Sequence, residues 1–321
     1  MTPTPPAAGG LQPGSAERGA QGTFERQQSA FRGKVVDDPS AEFPLVAGRY
    51  HLYVSLACPW ASRAVIARQL KGLSAAVAMT IVDPIRDEAG WRFTASQPDP
   101  VNGFELLSEA YLQSDPEFRQ RVTVPVLWDK ERGVIVNNES SEIMRMFERS
   151  FDRVAENPQV NLYPDSLADQ IDSLNEWIYR LINNGVYRAG FATTQEAYEE
   201  AVAGVFSGLD RCEQILAASR FLCAAEPTEA DWRLFVTLVR FDAVYVGHFK
   251  CNLRRIADYH NLSGYLRDCY QWPGIAATVD IDQIKRHYYM THPSLNRSRI
   301  VPAGPILDLD SPPDRAAVGS L

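Results

Sequence analysis

The chain carries two hydrophobic rhythms, one after the other. Leu52 and Val54 read as one face of a strand and His51, Tyr53 and Ser55 as the other; the strand runs straight into a helix. Pro59 suits the first helical position because its missing N–H would be unpaired there anyway, and the apolar, alanine-rich run over residues 60–70 stops at Gly72. Residues 75–82 end in β-branched side chains and predict a second strand, closed by Asp83-Pro84. Residues 84–102 have no period and predict a long surface loop, which is uncommon in a compact domain unless functional. A short amphipathic helix over 106–113 follows, then strands over 121–128 and 134–136, then a helix capped by Ser140 and continuing through Ile143, Met146 and Phe147. Beyond residue 150 strand signals nearly vanish. Residues 162–181, 195–216, 228–246 and 262–270 show apolar positions at helical spacing, and Thr228 with Asp231 has the spacing of a capping box.

The order β-α-β-(loop)-α-β-β-α is the thioredoxin arrangement, so the expected fold class is α/β plus all-α. We expect a tail and arm over 1–48, a thioredoxin-like domain over 49–150, an all-helical domain over 151–290 and a C-terminal tail over 291–321. Phe24, Phe31 and Phe43 suggest an arm laid over a domain surface. Pro125 at a strand start cannot donate to a ladder and suits a turn or a cis bond.

Cys58 falls at the start of the first helix, where unpaired N–H groups and the positive end of the helix dipole favour a thiolate, the form that attacks sulfur. Ala61 stands where the second cysteine of a Cys-x-x-Cys pair would be, so the site is monothiol. Its natural product is a mixed disulfide with a small thiol, resolved by a second thiol. Trp91, in the irregular loop, either pins that loop to the core or forms part of a ligand wall.

Composition narrows the function classes. A formal charge of −8 argues against nucleic-acid and anionic-membrane partners, and no apolar run is long enough to span a bilayer. Five cysteines without metal-ligand spacing support neither a disulfide framework nor a metal site, and a reducing, cytoplasmic setting fits best.

A thioredoxin-like half followed by a helical half is the glutathione transferase architecture. Ala57-Cys-Pro-Trp-Ala61, Arg121-Val-Thr-Val-Pro-Val-Leu-Trp-Asp129, Asn138-Glu-Ser-Ser-Glu-Ile143, Asn183-Asn-Gly-Val-Tyr-Arg-Ala-Gly-Phe191, Phe241-Asp-Ala-Val-Tyr245 and His287-Tyr-Tyr289 resemble the glutathionyl-hydroquinone reductases, the Xi-class glutathione transferases. The resemblance implies a Cys58 nucleophile, with glutathione contacts at Trp91, Arg121, Val122, Thr123, Val124, Glu139 and Ser140. A cis Val124-Pro125 bond would turn the Val124 backbone toward the cysteinyl part of glutathione. Glu139 and the N–H groups near Ser140 match an ammonium and a carboxylate. Tyr187 is implied as proton donor or acceptor, with Tyr245 and Tyr288 beside an aromatic substrate. Glutathione is then a co-substrate, no metal or other cofactor is required, and a homodimer is implied. The chain departs from the family pattern at Ser62, where histidine is usual, and at Phe118-Arg-Gln120. An Omega-like thioltransferase or dehydroascorbate reductase shares the monothiol logic, and a non-catalytic interaction protein shares the fold.

Overall fold

The computed structural model describes residues 17 and 19–315. Most of the tail expected before Gly22 lies outside the described residues, as do residues 316–321. The described chain forms a four-stranded mixed sheet with its helices, followed by a helical half, and residues 23–48 cross the surface of the first part. That arm holds two short strands, β1 (Val35–Val36) and β2 (Phe43–Pro44), paired parallel.

The sheet is β4-β3-β5-β6, built from β3 (Tyr50–Val54), β4 (Val77–Ile81), β5 (Val126–Asp129) and β6 (Val134–Asn137). β3 runs parallel to β4, with Tyr50 opposite Val77, and antiparallel to β5, with Tyr53 opposite Val126. Helix α1 (Pro59–Leu70) makes the crossover between the parallel strands. α2 (Leu107–Ser114) leads back toward β5, and α3 (Ser140–Arg145) follows β6. The expected thioredoxin-like order is therefore present.

All five residues of β3 are buried, so both faces of the strand are covered. The long loop after β4 is the cover on the polar side. His51 Nε2 is 2.8 Å from Thr80 Oγ1, the Tyr53 hydroxyl donates to Asp99 across 2.8 Å, and Phe93 packs edge-on to Tyr53. Alternation along the strand thus separates two buried surfaces, one of them hydrogen-bonded.

The helical half contains α4 (Ala168–Ile178), α5 (Gly185–Gly190), α6 (Gln195–Ala218), α7 (Glu229–Arg240), α8 (His260–Tyr270) and α9 (Ile281–Thr291). α7 opens on the expected capping box, with Asp231 accepting from both the N–H and the hydroxyl of Thr228. π-helical turns extend α4 over Tyr179–Asn183 and α7 over Phe241–Tyr245. The periodic pattern did not single out α5 or α9. α9 is polar on most of its surface, yet it buries Ile284, His287, Tyr288 and Thr291 on one face and is capped by Asp280, which accepts from the Gln283 N–H. The C-terminal stretch is irregular as expected but is tied to the helices: Leu309 is buried, and Arg315 donates to the carbonyls of Leu216 and Ser219.

Candidate active site

The halves meet where α1 packs on α7, and that contact sets the position of Cys58. Cys58 is the extended N-cap residue of α1 with Pro59 at the first helical position, as the sequence suggests. Arg240, at the end of α7 and buried, donates to the carbonyls of Leu56 and Ala57 and to Ser62 Oγ at 2.8–3.0 Å. Ser62 in turn donates to the Cys58 carbonyl across 3.1 Å. Ser62, one turn into α1, therefore links the Cys58 turn to the helical half.

Cys58 Sγ lies 3.6 Å from the Val124 carbonyl oxygen, and the Val124–Pro125 bond is cis. The residues before it are held in place from two sides. Tyr111 donates to the Thr123 carbonyl at 2.8 Å, while the side-chain amide of Gln27, on the arm, bonds both the N–H and the carbonyl of Arg121. Arg121 itself pairs with the buried Glu17 at 2.7 Å.

The cap of α3 differs from expectation. Glu139, not Ser140, occupies the N-cap, accepting from the Ser141 N–H at 3.2 Å; Ser140 is the first helical residue. Glu139 also accepts from Ser29 and from the Ser141 hydroxyl. Burial alone would raise its carboxyl, but these hydrogen bonds and the nearby Arg63 hold it below the usual carboxylate range.

These segments border one cavity of about 390 Å³, within the range of small-molecule sites. Cys58, Trp91, Arg121, Thr123, Val124, Glu139 and Ser140 all line it; Val122 does not. Trp91 carries the loop against the core, stacked on His287 at 5.2 Å, and also lines the cavity. Opposite stand the tyrosines. Tyr187 (α5) and Tyr288 (α9) line the cavity with their hydroxyls 2.5 Å apart, and Tyr245 reaches the Tyr288 hydroxyl at 3.0 Å from behind. Tyr245 is fully buried and off the wall, so it supports Tyr288 and does not face the cavity. Burial and the nearby Cys58 raise Tyr187, while Arg26 and the neighbouring hydroxyls oppose the rise; Tyr245 and Tyr288 are pushed well above the ordinary phenol value, by burial first.

Family models for the glutathione S-transferase N-terminal domain match residues 57–150, and those for its C-terminal domain match residues 195–268. The chain is 51% identical to glutathionyl-hydroquinone reductase YqjG of Escherichia coli, over 92% of each chain. It is 47% identical to glutathionyl-hydroquinone reductase PcpF of Sphingobium chlorophenolicum, over 88% of this chain and 90% of PcpF. The crystal structure of glutathione S-transferase Xi from Phanerochaete chrysosporium superposes with a TM-score of 0.86 at 47% identity, covering 89% of this chain and 93% of that one. The chain belongs to the Xi class of the glutathione transferases. The glutathione-bound structure of YqjG superposes equally well, TM-score 0.86 at 50% identity, covering 90% of this chain and 96% of that one.

In this Xi-class transferase the cationic side of the cavity was invisible to sequence reasoning. Arg26, Arg63, Arg86 and Arg233 border it together with Arg121. Arg63 is fully buried, donates to Asn183 at 2.9 Å and lies over the Trp60 ring; burial pushes it down to about 9. Burial likewise pushes Arg86 down to about 10, with Glu17 and Cys58 opposing. Arg63 reaches Asn183 across 120 residues, while its contact with Trp60, that of Arg86 with Trp91 and the Arg233–Glu229 pair are local contacts that do not by themselves mark a cavity.

Proposed function

We propose that this protein reduces S-glutathionyl-hydroquinones to hydroquinones with glutathione as the second thiol. The observation that carries the reading is that Cys58 and the Tyr187–Tyr288 hydroxyl pair border one cavity, so a nucleophile for sulfur and a proton donor for carbon serve a single bound thioether. Its likeness to YqjG and PcpF, both glutathionyl-hydroquinone reductases, supports the same substrate class.

Glutathione lies along Trp91, Arg121, Thr123 and Val124. Its ammonium meets Glu139, and its γ-glutamyl carboxylate meets the N–H groups at the start of α3 beside Ser140. The Cys58 thiolate attacks the thioether sulfur. An S–S bond forms, the C–S bond breaks, and its electron pair passes to the ring carbon, which takes a proton from Tyr187. A second glutathione attacks the Cys58 mixed disulfide, giving glutathione disulfide and returning the Cys58 thiolate; the proton it sheds restores Tyr187. Each step is closed by Cys58, Tyr187 and the two glutathiones. A homodimer in the cytoplasm belongs to the same proposal, supported by class membership. No helix among the described residues is long and apolar enough to cross a membrane.

Comparing a glutathionyl-hydroquinone with dehydroascorbate and a small glutathione mixed disulfide tests the reading. A ring carbon leaves poorly unless protonated, so Tyr187→Phe is expected to lower turnover of the thioether roughly 10²–10⁴-fold. A thiolate needs no such proton, and disulfide reduction should persist. Equal losses on both substrates, or wild-type preference for dehydroascorbate, point instead to the general thioltransferase.

A further inference from the structure

Arg26 lies on the arm, outside the two folded halves, yet its guanidinium sits among the aromatic side chains of the cavity. Its central carbon is 4.5 Å from the Trp60 ring centre, 4.7 Å from that of Tyr187 and 5.4 Å from that of Phe24. Nε donates to the Asn184 side-chain oxygen at 3.0 Å, one helical turn before Tyr187. Among the described residues Nη2 is buried without an acceptor, and no carboxylate forms an ion pair with the guanidinium. The nearby Arg121, by contrast, is neutralised by Glu17.

A positive charge with no carboxylate partner, part-buried against aromatic rings, acts on whatever charge forms beside it, because it is screened less there than in open water. In the reaction proposed above, the charge that forms is on Tyr187. When its proton passes to the departing ring carbon, the phenol oxygen becomes a phenolate. Tyr288 donates to that oxygen at 2.5 Å, with Tyr245 behind it at 3.0 Å, but both are neutral donors. The cation over the Tyr187 ring is Arg26.

We propose that Arg26 is a positioning residue for proton transfer: its charge stabilises the phenolate that Tyr187 becomes when it protonates the ring carbon. The inference rests on the hydroquinone-reductase reading. It assigns the arm a part in the chemistry that its loop-like sequence does not announce. It also explains why the arm borders the cavity at Phe24, Arg26, Gln27 and Ser29 before the chain enters the first folded half.

The arrangement is tested with Arg26→Met, which keeps the apolar stem but removes the charge, Arg26→Lys, which keeps a charge, Tyr187→Phe, and the double variant Arg26→Met/Tyr187→Phe. Each is assayed on a glutathionyl-hydroquinone and on the mixed disulfide of glutathione and mercaptoethanol. Arg26→Met is expected to lower kcat for the thioether about tenfold, equivalent to about 1.4 kcal/mol of transition-state stabilisation, with KM nearly unchanged. Arg26→Lys should recover most of that loss, and reduction of the mixed disulfide should be unaffected by either change. In the Tyr187→Phe background Arg26→Met should cost less than about twofold more, because a residue that acts through another has nothing left to act on. A full further loss in the double variant, no rescue by lysine, equal losses on both substrates, or no loss at all would each overturn the role of Arg26. If the wild type reduces the mixed disulfide but not the thioether, the hydroquinone reading itself fails and the role of Arg26 goes with it.

Discussion

Glu139 caps α3 in the structure, beside the glutathione contact proposed for it. Its carboxylate caps α3 and is bonded by Ser29 and Ser141, so removing the whole group would take away a cap as well as a charge. Glu139→Gln separates the two, since the amide oxygen still caps while the charge is gone. The expected result is a nearly unchanged melting temperature with glutathione affinity reduced by about 1.5–3 kcal/mol, the value of a desolvated charge-assisted bond. Calorimetric titration reads this directly; unchanged affinity would place the ammonium elsewhere. Residues of this kind were legible because the signal is local. Cys58 before Pro59 and Val124 before Pro125 each declare themselves within a few positions, and the contiguous family motif over 138–143 points to Glu139 and Ser140. Arg26, Arg63, Arg86 and Arg240 do not, because each acts on groups brought to it by folding: Arg240 reaches back more than 170 residues to hold the carbonyls before Cys58.

At the scale of elements, the long periodic helices and the sheet strands were readable, and the exceptions have physical causes. α9 is short and largely polar, and its buried face carries a histidine and two tyrosines where aliphatic residues would have given a clear period. The segment joining the two halves hides a titrating group in the same way. Glu148, in the π-helical turn after α3, accepts from the Leu162 N–H at 2.8 Å while its other oxygen is buried without a partner among the described residues. Burial, opposed by Lys71 and the backbone donors, pushes its carboxyl up to about 7 from its ordinary 4.5. The folded state therefore holds a proton that the unfolded chain has released, and stability from this group is complete below about 4.5 and lost as pH rises to about 7. Glu148→Gln keeps the acceptor for Leu162 and cannot ionise. Its melting temperature is expected to gain on the wild type between pH 4.5 and 7 and to hold that gain above; a difference independent of pH would show that Glu148 is charged throughout.

In the reaction proposed above, the work is divided between the halves: the thioredoxin-like half brings Cys58 and the thiol-binding surface, and the helical half brings the phenols. Arg240 locks one half to the other across the α1–α7 contact. The family motifs made this division visible in outline, because each motif is contiguous; the arm's share in the cavity became visible only in three dimensions. In the proposed reaction Cys58 takes the glutathionyl group before any second thiol acts. Mixing the enzyme with a glutathionyl-hydroquinone in the absence of free glutathione tests this in a single turnover, following hydroquinone release by rapid quench and the protein by mass spectrometry. The expected result is a burst of one hydroquinone per active site with glutathione disulfide-linked to Cys58. It is contradicted if hydroquinone appears only after free glutathione is added, or if the adduct forms on Cys212, Cys223, Cys251 or Cys269.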